Sequence, residues 1–156
     1  MSRVSSAIGV STSAIFYYFE SRSSLIEQTY LFEIDTRITE IVTSLTRFLS
    51  NNYKCSLESF LESLFYDGIP FEVKRIVKAC SALRETEALE ISRNKIQSLY
   101  TGSVSLLTEM FGLTDNLATE LVSTIFGKIC YSVLMDEKLD HQQILSLPQF
   151  FKFDPI

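Results

Sequence analysis

Histidine is nearly missing from this chain, with His141 near the C-terminal end as its single instance. No Ser-His-Asp order, glycine-rich phosphate loop or metal box is present, so the usual hydrolase and nucleotide-binding readings drop out. Cysteine is scarce as well: Cys55, Cys80 and Cys130 are odd in number, far apart, and form no C-x-x-C. That excludes a disulfide framework and a zinc site, and it leaves buried free thiols in a reducing cytoplasm as the expectation. No apolar run reaches the ~20 residues that span a bilayer. The N-terminus lacks the apolar core of a signal peptide. A cytoplasmic chain with no membrane partner and no cofactor is expected. Neighbouring carboxylates such as Asp136 with Glu137, or Glu87 with Glu90, read as solvated helix faces, and an enzyme is not expected.

What remains is a chain of 156 residues with 46% hydrophobic content, enough to bury a sizeable core. Its net charge is -5, which is not a global nucleic-acid footprint. The deficit is uneven. Arg3 and Arg22 balance Glu20 and Glu27 within residues 1–30, so residues 31–156 carry all of it. Without repeats or low-complexity segments, the pattern is that of one helical domain plus a small appended motif.

That motif lies in Ile8 to Phe19, IGVSTSAIFYYF. Gly9 sits where a short helix ends, since glycine reaches a left-handed backbone without steric cost. Ser11 follows as an N-cap. Ile15, Phe16 and Phe19 fall together on an inward face, which leaves Thr12, Ser13 and Tyr17 pointing elsewhere. A short helix, a glycine turn and a second short helix with outward hydroxyls is the layout of a helix-turn-helix.

The segment Val4 to Ile26, VSSAIGVSTSAIFYYFESRSSLI, resembles the DNA-binding signature of the TetR family of bacterial transcriptional regulators. Val4, Gly9, Val10, Ser11, Ile15, Phe19, Ser21, Arg22 and Leu25 match that signature or match it conservatively. Ser5, Ile8, Ser13, Phe16 and Tyr18 depart from it. The resemblance implies an all-α fold: a helix-turn-helix head over residues 1–21, then a helical regulatory and dimerisation domain over 22–156. In the family another helix precedes the point where this chain opens and completes the head. The head is therefore expected to be incomplete, and a truncation, of the gene or of the expressed chain, is the expected cause. DNA upstream of Met1 with an immediate stop codon and no alternative start would count against it.

The resemblance implies a double-stranded DNA operator as partner, with phosphate contacts at Tyr17, Tyr18 and Arg22. The residues themselves add that Ser11 and Thr12 are placed to bond phosphate through hydroxyls or backbone N–H groups. Ser13 and Tyr17 are placed to meet base edges or thymine methyls. The alternative for Tyr18 is packing under the next helix.

From there the pattern reads helix after helix. Ser21 caps a long one from Arg22 to about Ser50, its stripe running through Ile26, Tyr30, Ile34, Ile38, Ile41, Leu45 and Phe48. Ser56 caps a helix through Phe65. Gly68 and Pro70 form a stop. Further helices are expected over Phe71 to Ile91, Ser92 to Phe111, and, capped by Thr114, Asp115 to about Asp136. The tail from His141 to Ile156 carries three phenylalanines that are expected to pack on the body.

The Asp115–Asp136 stretch carries two adjacent apolar rows, wider than one core face requires. Leu117, Leu121, Val122, Ile125, Ile129 and Val133 are expected to divide between the chain's own core and a second copy. The resemblance implies a homodimer, whose two heads would read a palindromic site. The alternative is a central helix of a monomer. The resemblance also implies a small-molecule pocket in the body and release of DNA when it fills. Phe60, Cys80, Arg84 and Tyr100 are the candidate lining, with a small hydrophobic effector; the alternative is that these aromatics are plain core. Two functions stand side by side: a ligand-responsive repressor, and a helical dimeric ligand- or protein-binding module that has lost DNA binding.

Overall fold

Short polar side chains set the helix starts. Ser11, Ser21, Ser56 and Thr114 each accept a backbone N–H three residues on, at 3.0, 3.0, 3.1 and 3.4 Å, from Ala14, Ser24, Ser59 and Leu117. Each bond satisfies a donor that the first helical turn would otherwise leave unpaired. A computed structural model of the chain describes residues 1–51, 54–83, 87–138 and 142. Among the described residues there are seven helices and no strand, so the fold is all-α. They are α1 (Ser2–Ile8), α2 (Thr12–Tyr18), α3 (Arg22–Asn51), α4 (Leu57–Tyr66), α5 (Ile69–Ala82), α6 (Glu87–Phe111) and α7 (Asp115–Leu134).

Two boundaries differ from the sequence expectation. Helix α5 begins at Ile69, with Gly68 at its N-cap and Pro70 in its first turn. Proline there forgoes an N–H that has no helical partner anyway, so it opens the helix rather than blocking it. Helix α5 then ends at Ala82, and α6 starts at Glu87 rather than Ser92. Glu87 and Glu90 lie in the first turn of α6, where carboxylates meet the positive end of the helix.

The body is a ring of long helices. Helix α3 packs along α5, α5 on α7, α7 on α6, and α6 back on α3, while α4 sits against α5. Two apolar clusters fill it. One joins Ile34 and Ile41 of α3 to Val73 and Ile76 of α5, Ala88 of α6 and Ile129 of α7. The other joins Phe60 and Leu61 of α4 to Leu107, Leu113, Ala118, Leu121 and Val122. Ile125 and Phe126 touch both. Ser92, fully buried, donates its hydroxyl to the Ala88 carbonyl at 2.7 Å, so its polarity is absorbed by its own helix.

A charge cluster clamps α3 to α5. The Arg37 guanidinium lies 2.5 Å from Glu40, 3.2 Å from Glu33 and 3.2 Å from Glu72 on α5, and Arg75 reaches Glu33 at 2.5 Å. Burial works to lower the Arg37 pKa, but the hydrogen bond to Glu72 and the charges of Glu33 and Glu40 outweigh it and leave it raised.

Helix α7 has the length and composition to cross a bilayer, although only 28% of its apolar window is buried. Three charges, Asp115, Glu120 and Lys128, interrupt it, which is why no unbroken apolar run marks it in the sequence. In the bundle its Leu121, Val122 and Ile129 face the two cores.

Candidate functional site

Helices α1 and α2 pack chiefly on each other. Between them Gly9 adopts φ 71°, ψ 24°, and its N–H bonds the Ser5 carbonyl. A Cβ at Gly9 would meet no atom within 4 Å, so the glycine is there for backbone conformation alone. Ser5 Oγ donates to the Ser2 carbonyl at 2.9 Å and lies 3.2 Å from Thr12 Oγ1. With the one Ser5 proton on that carbonyl, Thr12 is the donor of the second bond. The Thr12 hydroxyl therefore braces the turn from a half-buried position.

Ile15 is buried against this small core, but Phe16 is 46% exposed, against the expectation of a shared inward face. Neighbours in a helix point about 100° apart, and the small core of the head covers the Ile15 side alone. Tyr17 and Tyr18 are 84% and 75% exposed, and their rings meet edge to face at 5.2 Å. Tyr18 thus does not pack under α3. Ser11, Ser13 and Arg22 are exposed as well, with Arg22 the first residue of α3. Ser13, Tyr17 and Tyr18 are thus exposed on α2, and Arg22 is exposed four residues further along the chain. Helix α2 has seven residues, too short for a substantial dipole, so attraction for phosphate rests on side chains.

A second concave feature lies inside the body, at the seam of the two cores. It is a cavity of about 80 Å³, walled by Ile41, Phe60, Leu61, Val73, Val122 and Ile129 among others. Ser103 is its one polar lining side chain, and Ser103 Oγ donates to the Leu99 carbonyl at 2.8 Å. A cavity with no free donor stays dry. Ligand pockets are generally ~300 Å³ or more, so this one is closed down.

Of the four residues expected to line a pocket, Phe60 does so. Cys80 does not: it packs half-buried against the first cluster, and burial pushes its thiol pKa up. Tyr100 does not line this cavity either, but lines a shallow surface pocket with Thr101, Val104 and Thr119. Its hydroxyl lies 2.6 Å from Ser123 Oγ and its ring 5.9 Å from Phe126, on the outer side of α6 and α7. Arg84, like the tail expectation over 141–156, lies outside the described residues. Leu99, Ser103 and Leu106 of α6 line the cavity without having been singled out for it. Leu99 and Ser103, four apart on the apolar stripe of α6, were the available signal.

Leu121, Val122 and Ile129 are 1%, 3% and 1% exposed within this one chain, which corrects their expected place at a subunit contact. Both apolar rows of α7 have work inside the chain: its first half packs with α4 and α6 in the second cluster, and Ile129 further on packs with α3 and α5 in the first. Leu117, Ile125 and Val133 are half-buried. The outward strip of α7 is Ser123, Gly127, Tyr131 and Leu134, all exposed. Among the described residues, no three His, Cys, Asp or Glu side chains gather as metal ligands. Comparison of the chain with protein-family models, curated proteins and solved structures returns no match.

Proposed function

We propose that this chain is a TetR-like transcriptional regulator of the cytoplasm, acting as a repressor that binds a palindromic operator as a homodimer. The observation that carries the proposal is the exposed tip of α2. Two tyrosines there are turned to solvent although the chain has an apolar interior to offer, and Arg22, four residues on at the start of α3, is exposed as well. Phenol and guanidinium groups in that setting serve phosphate oxygens, and Ser13 beside them is small enough to let α2 approach base edges. A head with no net charge makes nonspecific DNA binding weak, so selectivity falls to the few contacts of α2. The outward strip of α7 and the neighbouring face of α6 are the surface left for a second copy. The body cavity is the place for a small hydrophobic effector.

The test is a gel shift on the DNA flanking the chain's own gene, with this chain and with an N-terminally extended one. Salt-sensitive, sequence-selective retardation supports a regulator. Tyr17→Ala and Arg22→Ala are each expected to weaken binding about tenfold or more, one lost charge-assisted or base contact, without changing the mass measured by light scattering. Wild-type affinity in both variants removes the contact face assigned here.

A second reading has an observation of its own. Val4, Ile8, Val10 and Phe16 are exposed on a head whose charges cancel. Such a surface suits an apolar protein partner as well as it suits DNA. A helical dimeric module that binds a ligand or protein and not DNA is the alternative, favoured by absence of retardation with either chain.

A further inference from the structure

Beside the closed cavity runs an open groove of about 970 Å³ between α3 and α6. The two helices run the same way: Asp35 meets Lys95 at one end, while Phe48 and Phe111 both stack on Phe60 at the other. From Ile91 to Leu106 the groove follows α6 for about 22 Å at 1.5 Å per residue. Leu45, Leu99, Ser103 and Leu106 line both the groove and the cavity. One layer of side chains therefore divides an open trough from a dry chamber that is too small on its own for a ligand.

The chemistry of the trough is narrow. Its hydroxyls are already committed: Thr39, Thr46, Ser98 and Ser103 donate to the carbonyls of Asp35, Val42, Asn94 and Leu99. Its two charges, Asp35 and Lys95, hold each other and sum to zero. Asn94, next to that pair, is the one lining amide. Everything toward the Leu106 end is hydrocarbon or satisfied hydroxyl. An ionised group buried there would find no free partner, because Asp35 and Lys95 are already paired with each other.

We propose that the α3–α6 groove is the mouth of the body cavity and that it binds an elongated, uncharged, mainly aliphatic molecule. The hydrocarbon end displaces Leu45, Leu99 and Leu106 to enter the chamber, and a single hydroxyl, ester or amide end stays at Asn94. This assigns route and ligand class to the effector site of the regulator reading, and it rests on that reading only for its consequence. Direct binding reads it, so the site stands or falls whatever the gel shift gives.

Gly102 supplies the decisive variant. It lines the groove, is exposed in the middle of α6, and a Cβ there would meet nothing within 4 Å. Gly102→Phe thus fills the trough without crowding the fold, and it replaces a poor helix former. The probe is 1-dodecanol, measured by displacement of 1-aminoanthracene fluorescence, with dodecanoate as its charged counterpart. The wild type is expected to bind dodecanol at least tenfold more tightly than dodecanoate. Gly102→Phe is expected to lose dodecanol binding by at least tenfold while its melting temperature holds or rises. Leu99→Ala, which thins the dividing layer, is expected to bind more tightly than wild type. Equal affinity in Gly102→Phe and wild type overturns the location. Preference for dodecanoate overturns the ligand class. A wild type that binds neither, or a dimer that dissociates in Gly102→Phe because a second copy filled the trough, overturns the site.

Discussion

Residues 1–21 and residues 22–138 bury their apolar groups on different terms. The body closes two clusters on itself and brings residues from four or five helices to each. The head has Ile15 and Ser5 as its buried residues, while Val4, Ile8, Val10 and Phe16 stay in water. Apolar burial contributes about 25 cal/mol per Å², so the body carries nearly all the folding free energy and the head very little. A region that stabilises itself so weakly keeps its shape through local devices, namely a glycine in the left-handed region and a serine cap.

The sharpest break between the two regions comes from truncating the body. Leu121→Ala, at a fully buried site, is expected to cost about 2–5 kcal/mol in urea unfolding, whereas Tyr17→Ala is expected to stay within about 0.5 kcal/mol. Comparable losses in the two would mean that the head is as integral to the core as the body. Next in size is Gly9→Ala. Forcing alanine to φ 71° costs about 1–2 kcal/mol of backbone strain. That loss should appear as faster hydrogen exchange in residues 2–19 with little change in the body's midpoint.

Removing caps asks the same question more gently. Ser11→Ala and Ser56→Ala each delete one side-chain cap and are each expected to cost their helix about 1 kcal/mol. Because α4 is held by the second cluster, Ser56→Ala should lower the global melting temperature. Ser11→Ala should instead fray α2 alone, seen as local exchange.

The smallest expected effect concerns Cys80. Burial raises its pKa, so at neutral pH the native thiol is protonated and should react with iodoacetamide more slowly than in denatured protein. A thiol whose folded pKa is raised contributes its stability fully below the unfolded value. That contribution fades as pH rises through the folded value. Native labelling should therefore accelerate only in the alkaline range, and equal native and denatured rates at neutral pH would show Cys80 to be open.

The caps and the glycine turn were legible in the sequence because their physics is local: one hydroxyl, one N–H, three residues apart. The start of α5 was not, since Pro70 opens a helix as readily as it stops one, and only the fold decides. The start of α6 was not legible for a similar reason: Glu87 and Glu90 suit a solvated face of a preceding helix as well as a first turn. Periodicity marked the two apolar rows of α7 but not their neighbours, so Leu121, Val122 and Ile129 were divided between core and partner when the core uses them all. Likewise nothing along α5 or α6 tells which flank faces the seam. Cys80 and Tyr100 fell on the wrong one, while Leu99 and Ser103 lie on the right one.

Helix α3 runs unbroken for 30 residues, and both Arg37 and the apolar side chains from Tyr30 to Ile41 hold it to the body. From Tyr30, where packing on the core begins, to Arg22 the rod extends about 12 Å, so a tilt of about 10° sweeps its end by about 2 Å. A hydrogen bond lasts over a few tenths of an ångström. An overhang of that length turns a small tilt of the packed segment into a displacement several times wider than a hydrogen bond tolerates.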